Sequence, residues 1–525
     1  VPMGQAKKPS TTGRSSSRSR AVSGSDCVLV MDCGATTTRA VAVDFRGNLV
    51  ASASRPSSPS PQPGGKGNWK IWDLDEVWGK LSESCRQVCS AVRRDRIKAV
   101  TIVTFGADGA PLTKSGSLAY PVISWQCERT KELAEAIRKM RSPQEIYEIT
   151  GYQIIAFNTL LKWMWLRQHA PRALGKGNRW VMMSGLLSHR LSGEMMIEPT
   201  AASTTMAMDI CRRDWSGKML SLAGLDRSFF PSWSQPGDVV GTVTGKASDE
   251  TGLPAGIPVV AGGHDTQFAP FGSGAKPGEA ILSTGTWEIA LLRTQRCDPE
   301  AVGFEEGLII EADAKPGWWN PQVLMIASGV IEWVRRNFFA AEADREDIHR
   351  LMIEEGHESR PGAGGVSVVP AFVEGAGPAK KYDVPGCITG LSLSTTRGQV
   401  YRAVIEGLCC QLRHALDILS RATGFVPTGI RVVGGGAKND FWNQTRADVT
   451  RLPATVPDVK EATVLGAAAF AFKGAGIFAS PEEFVSGIDL GEEVFEPSRN
   501  AGFYEASYNS YLRFLEAWSA TRRIT

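Results

Sequence analysis

The chain has 525 residues, of which 42% are apolar and 22% charged, and a formal net charge of +3. That length exceeds one ordinary core and implies two or more domains, while the composition is that of a globular chain. No apolar run approaches the ~18 residues of a bilayer span, so no membrane partner is expected. Lys7, Lys8, Arg14, Arg18 and Arg20 all precede the first acidic residue, Asp26, and leave the rest of the chain at −2. The basic character therefore belongs to residues 1–25, a disordered Ser- and Arg-rich tail, and nucleic acid is not expected as a partner. The ten cysteines show no Cys-x-x-Cys pair and no metal-ligand spacing with the six histidines. This predicts reduced thiols in a cytoplasmic protein.

The first elements form a hairpin, with strands over Cys27–Met31 and Ala40–Asp44. Its tip runs from Asp32 to Arg39. There Gly34 allows close backbone approach, and Thr36 and Thr37 add hydroxyls to N–H donors, which suits anionic phosphate oxygens. Asp32, closing a buried strand, is positioned for a metal ion or its water shell. A turn at Arg46-Gly47-Asn48 leads to a strand over 49–54, and the Ser/Pro/Gly-rich residues 57–67 read as a surface loop. A helix over about 75–93 and a buried strand over 97–104 follow. Strands and helices then alternate to about residue 260, the pattern of an α/β domain. Within this stretch, Trp163 and Trp165 lie on a helix predicted over 155–167 and are read as sheet packing.

A new pattern begins with the strand Ile257–Ala261, which runs into Gly262-Gly263-His264-Asp265. Then comes Gly278-Glu279-Ala280-Ile281-Leu282-Ser283-Thr284-Gly285-Thr286-Trp287-Glu288, followed by a strand over 289–293, again a strand, a Gly/Thr turn and a strand. Each half of the chain thus opens with a hairpin bearing a Gly/Thr tip, a repeat of design rather than of sequence. A third glycine-rich element, Gly434-Gly435-Gly436, joins a strand over 430–433 to a helix over about 439–450. Its spacing is not that of a dinucleotide fingerprint. Three glycines instead offer a flat surface for a purine.

In combination, DCGATTTR (32–39), GGHD (262–265), STGTWE (283–288), VGGGAKNDFWNQ (433–444) and the segment 386–406 resemble the FGGY family of carbohydrate kinases. The resemblance covers about residues 26–500. It implies an α/β fold of two actin/hexokinase-like (ribonuclease H-like) domains flanking a catalytic cleft. A sugar-side domain would span 26–265, a nucleotide-side domain 266–500 and a helical extension 501–525. It further implies ATP and Mg²⁺ as cofactors, with Asp265 as general base and Asp32 near the metal. Gly34, Thr36, Thr37, Gly285 and Thr286 would face the phosphates, and Gly435, Gly436 and Asn439 the adenosine. By the same matching, Asp108, Gly109, Trp125, Arg129, Asn158, His264 and Gln267 would line the sugar pocket.

The segments 103–110, 120–130, 156–160, 263–272, 282–289, 327–335 and 393–408 resemble most the branch of the family that acts on L-fuculose. Transfer to the C1 hydroxyl of this ketose is therefore the expected reaction. Rhamnulose, xylulose and ribulose stay open as acceptors, and a non-kinase ATPase and a sugar sensor are the readings from other classes. A homo-oligomer is compatible with all of them. Residues 375–382 fit no part of the family pattern and read as a lid or a surface excursion.

Overall fold

A computed structural model describes residues 25–373, 377–459 and 461–522. Residues 1–24 of the basic tail and residues 375 and 376 of the segment 375–382 lie outside the described residues. Among the described residues, no helix is long and apolar enough to cross a membrane.

Six strands build the first large sheet: β1 (Cys27–Cys33), β2 (Thr37–Asp44), β3 (Leu49–Pro56), β4 (Ile97–Thr104), β5 (Val239–Thr242) and β6 (Pro258–His264). Their order is β5-β6-β4-β1-β2-β3. Strand β1 is buried along its whole length because both faces of the sheet are covered. Leu29 and Met31 pack with Leu81, Cys85 and Val88 of the helix Leu74–Ala91. Val28 and Val30, pointing the other way, join Val464, Phe470 and Phe472 of the helix Ala462–Gly474. Period-two alternation thus splits one strand between two cores.

Seven strands build the second large sheet: β7 (Glu279–Thr284), β8 (Trp287–Leu291), β9 (Ile309–Ala312), β10 (Trp319–Ile326), β11 (Gly429–Val433), β12 (Ala454–Pro457) and β13 (Glu492–Phe495). Their order is β9-β10-β8-β7-β11-β12-β13. The two sheets share one plan. In each, an antiparallel hairpin (β1/β2, β7/β8) extends through a third antiparallel strand on one side. On the other side come two parallel strands and an antiparallel edge. The repeat of design read from the two tips is therefore a repeat of sheet topology.

The chain does not keep its halves apart. The helix Ala462–Gly474, late in the sequence, covers the first sheet and packs closely on residues 268–272. A Cβ on Gly272 would lie 1.7 Å from the Ala462 carbonyl oxygen, and one on Gly466 would lie 1.9 Å from that of Phe268. Only glycine permits this approach. The helix Ala501–Arg522 packs on the long helix Arg397–Thr423, with the Tyr504 hydroxyl donating to Glu406 (2.8 Å) and that of Tyr508 to Asp417 (2.6 Å).

Two expectations change. The helix predicted over 155–167 is Thr159–His169, because residues 155–158 form a turn closed by the Asn158 Oδ1 accepting from the Ile155 N–H (2.7 Å). The ten cysteines are not all reduced thiols, since Cys211 and Cys297 are joined by a disulfide. They lie 86 residues apart and meet only because the β9–β10 hairpin docks on the first half of the chain. There the Ile310 N–H donates to the Gly151 carbonyl (2.7 Å) and the Trp319 Nε1–H to that of Ile210 (2.8 Å).

Alkylation without reductant, followed by peptide mapping, is expected to recover the Cys211 and Cys297 peptides as one linked species. Cys211→Ser is expected to cost about 2–4 kcal/mol of stability. Free alkylation of both thiols would contradict this bond.

Candidate active site

The carboxyl ends of three parallel strands, β1, β4 and β6, converge on one edge of the first sheet, the usual ligand-binding edge of an α/β sheet. Asp265 follows β6 directly. Its Oδ1 accepts from the Thr266 N–H (2.7 Å) and the Thr266 hydroxyl (3.3 Å), and stands 3.4 Å from His264 Nε2. No hydrogen bond reaches Oδ2 from the described residues, and the side chain is 28% exposed. Burial raises the carboxyl above the ordinary range, with His264 opposing. One oxygen is held and the other is open, an arrangement suited to taking a proton from a bound hydroxyl.

His264 cannot serve as that base near neutral pH. Burial pulls its imidazole down, but the charge and hydrogen bond of Glu311, with Asp265 and Glu198 adding, outweigh burial and raise it to about 9. Its backbone N–H donates to Thr200 Oγ1 (2.8 Å), and Thr200 in turn sits on the buried Glu198 carboxylate.

Asp32 closes β1 beside these groups. Its Oδ2 accepts from Arg39 Nε (2.8 Å) and pairs with Nη2 (2.6 Å), while Oδ1 has no hydrogen-bond partner among the described residues. Burial pushes its carboxyl up to about 6, with Arg39 opposing and Asp265 adding. Arg39 also reaches Glu461 (2.5 Å), tying the first tip to the start of the helix Ala462–Gly474. Among the described residues, no three His, Cys, Asp or Glu side chains converge as a metal cage.

The two tips close alike. The Gly34 N–H donates to the Thr37 carbonyl and the Gly285 N–H to that of Trp287, both at 2.9 Å, leaving Thr36, Thr37 and Thr286 exposed. The glycine turn after β11 is open at Gly435, where a Cβ would meet nothing within 4 Å. At Gly436, by contrast, a Cβ would lie 2.3 Å from Thr284 Oγ1. Asn439 caps the helix Asp440–Thr450, its Oδ1 accepting from the Trp442 N–H (3.1 Å) and its Nδ2 donating to the Tyr401 hydroxyl (3.1 Å). Its side chain therefore organises the turn.

Of the expected sugar ligands, Trp125 stays partly exposed and His264 borders Asp265. Five others are buried and their polar atoms are engaged by the protein itself. Asp108 is fully buried, ion-paired with Lys162, and accepts from Trp72 Nε1 (2.7 Å) and the Trp125 N–H (3.0 Å). Gly109 pairs with Met182 of an antiparallel strand, where a Cβ would be 2.5 Å from the Val181 carbonyl oxygen. Arg129 lies over the rings of Trp69 and Trp165, which meet edge to face, and donates to Gln62 (2.7 Å). Asn158 is spent on its own turn and on the Thr204 carbonyl (3.3 Å). Gln267 is buried, donating to Glu311 and accepting from Asn320. Polar residue types in these segments build the wall.

Sequence reasoning missed Glu311, Lys162 and the Arg446–Glu288 pair. Arg446 donates to Glu288 (2.5 Å), Thr284 (3.1 Å) and Asn443 (2.7 Å), and Asn443 holds the Ala437 carbonyl (2.7 Å). The second tip and the glycine turn are thus one hydrogen-bonded unit. The missed signal was a single charge inside an apolar run, as in Leu160-Leu161-Lys162-Trp163 and Ile309-Ile310-Glu311-Ala312. Such a charge needs a buried partner.

Residues 27–272 match the N-terminal domain of the FGGY family of carbohydrate kinases and residues 280–475 its C-terminal domain. The chain is 38% identical over 484 residues to the L-fuculokinase of Escherichia coli (strain K12), covering 91% of this chain and 99% of that one. It is 28% identical to the autoinducer-2 kinase of Enterobacter sp. (strain 638), covering 86% of each. The fold is that of the xylulose kinase from Rhodospirillum rubrum, with a TM-score of 0.83 at 24% identity and coverage of 94% of this chain and 98% of that one. With both domains and nearly the whole length of the relatives matched, the chain belongs to the FGGY family of carbohydrate kinases.

Proposed function

We propose that this carbohydrate kinase transfers the γ-phosphoryl group of ATP to the C1 hydroxyl of L-fuculose. The observation that carries the reading is Asp265, with one oxygen held and the other open, at the edge of the first sheet beside Asp32. The choice of sugar is supported by the 38% identity with the E. coli L-fuculokinase. We assign the sugar side to residues 26–265 and the nucleotide side to 266–500. Asp265 Oδ2 takes the proton as O1 bonds the γ-phosphorus and the bond to the bridging oxygen breaks, releasing ADP.

The donor set fits Mg²⁺. Asp32 keeps Oδ1 free, Asp32 and Asp265 disfavour each other's charge, and Mg²⁺ needs only one or two carboxylates beside waters and phosphate oxygens. When bound, the ion neutralises phosphate charge. Thr36, Thr37, Gly285 and Thr286 hold phosphate oxygens from the two sides, and Gly435 and Gly436 leave a floor for the purine. Trp125 forms a wall of the sugar pocket.

An ADP-release assay over L-fuculose, rhamnulose, xylulose and ribulose tests the reading. L-fuculose is expected to give the highest kcat/KM, with phosphate on C1. ADP release that ignores added sugar would overturn the kinase reading.

Asp265→Asn keeps shape and removes the proton acceptor, so kcat is expected to fall ~10²–10⁴-fold with sugar binding little changed. In the unsubstituted enzyme, activity is expected to fall on acidification as Asp265 protonates, at a pH above the usual carboxylate range because burial raises this group. A variant retaining half its rate would remove Asp265 from the role.

Asp32→Ala is expected to weaken metal–nucleotide use about 10–100-fold, with partial recovery at high Mg²⁺ and the sugar KM little affected. Ordinary metal dependence combined with lost sugar affinity would contradict this assignment.

A further inference from the structure

We propose that Glu311 is a positioning residue for phosphoryl transfer. From the second half of the chain it holds the His264 imidazole against Asp265, so that the base is set only when the β9–β10 hairpin is docked. The inference rests on the kinase reading above and adds a residue that no motif marks.

Glu311 is 1% exposed, on β9. Its Oε2 lies 3.2 Å from His264 Nδ1 and accepts from Gln267 Nε2, and its Oε1 accepts from the Tyr152 hydroxyl (3.0 Å). Tyr152, His264 and Gln267 all fall within residues 27–272, which match the N-terminal family domain. Asn320 on β10 donates to the far end of Gln267, so the hairpin grips the catalytic segment through two of its residues. A carboxylate this buried needs a charged partner and hydrogen bonds on its remaining lone pairs, and it has both. His264 spends Nδ1 on Glu311 and turns Nε2 to Asp265.

The imidazole is held at two points, by Glu311 from β9 and by Asp265 next along the chain, and the charge of Glu198, at the start of the helix Pro199–Ser203, acts on it through space. Its backbone N–H is tied to Thr200 on that helix. As a cation 3.4 Å from Oδ1, His264 opposes the burial that raises Asp265 and leaves Oδ2 for the substrate hydroxyl. It passes no proton itself.

The test uses the full chain, labelled with ¹⁵N-histidine, with the His264 signal identified by its loss in His264→Gln. In the unsubstituted protein the imidazole is expected to titrate above its ordinary range, because Glu311, with Asp265 and Glu198 adding, outweighs burial. Glu311→Gln is expected to lower that by at least about one unit and to move the alkaline limb of the kcat profile down with it. The KM for ATP should stay within about twofold, and Glu311→Asp, which keeps the charge, should retain the limb. A folded Glu311→Gln protein whose His264 titrates as in the unsubstituted chain overturns the proposal.

Should Glu311→Gln fail to fold, His264→Gln decides. The acid limb is expected to rise as Asp265 loses its neighbouring cation, and an unmoved limb overturns the proposal. If the unsubstituted protein phosphorylates no ketose, the kinase reading fails, while the imidazole titration still decides the role of Glu311.

Discussion

The active edge depends on keeping several carboxylates close together in a buried place. Asp32, Asp265, Glu198 and Glu311 meet where three strand ends converge, and each pays a desolvation cost that only nearby cations and donors offset. Two cations answer them from the chain itself. Arg39 serves Asp32 and Glu461, and His264 stands among Glu311, Asp265 and Glu198. Removing either cation would strand at least two acids, so the strand ends, the hairpin tip and the docked β9–β10 hairpin form one electrostatic unit.

That unit also explains why the two halves are interleaved. Glu461 precedes the helix that covers the first sheet, and Glu311 belongs to a hairpin of the second sheet that docks on the first half. Each of the two cations is therefore completed by a residue from late in the chain. Packing reinforces this at Gly272 and Gly466, where backbone meets backbone with no room for a side chain. The disulfide Cys211–Cys297 spans the same docked surface.

The sheet plan was legible because its signals are local. Alternating apolar residues, glycine turns and short strands revealed both hairpins and the glycine turn to within a few residues. Asp265 and Asp32 were legible for a similar reason, since each ends an apolar strand next to glycine. What was hidden depends on contacts distant in sequence. Nothing near Glu311 points to His264, 47 residues away, and nothing near Cys211 points to Cys297. The buried partners of Asp108, Arg129 and Asn158 were hidden for the same reason, since Lys162, which pairs with Asp108, lies 54 residues away.

The shared plan of the two sheets gives a physical reason for their different tasks. The turn after β4 and the turn after β11 occupy equivalent positions, each following the first parallel neighbour of a hairpin. After β4 the turn is filled. Gly106 abuts His264 and Thr204, and Asp108 is locked by Lys162 and two tryptophans. That rigid wall suits a small polyol, whose hydroxyls must be oriented closely for in-line transfer. After β11 the turn is left bare at Gly435, and its order comes from beneath, through Asn443, Arg446 and Thr284. A bare backbone shelf held from below accepts a flat ring without needing side chains to move aside. One topology thus supplies two surfaces, one packed and one bare, according to the residues that fill equivalent turns.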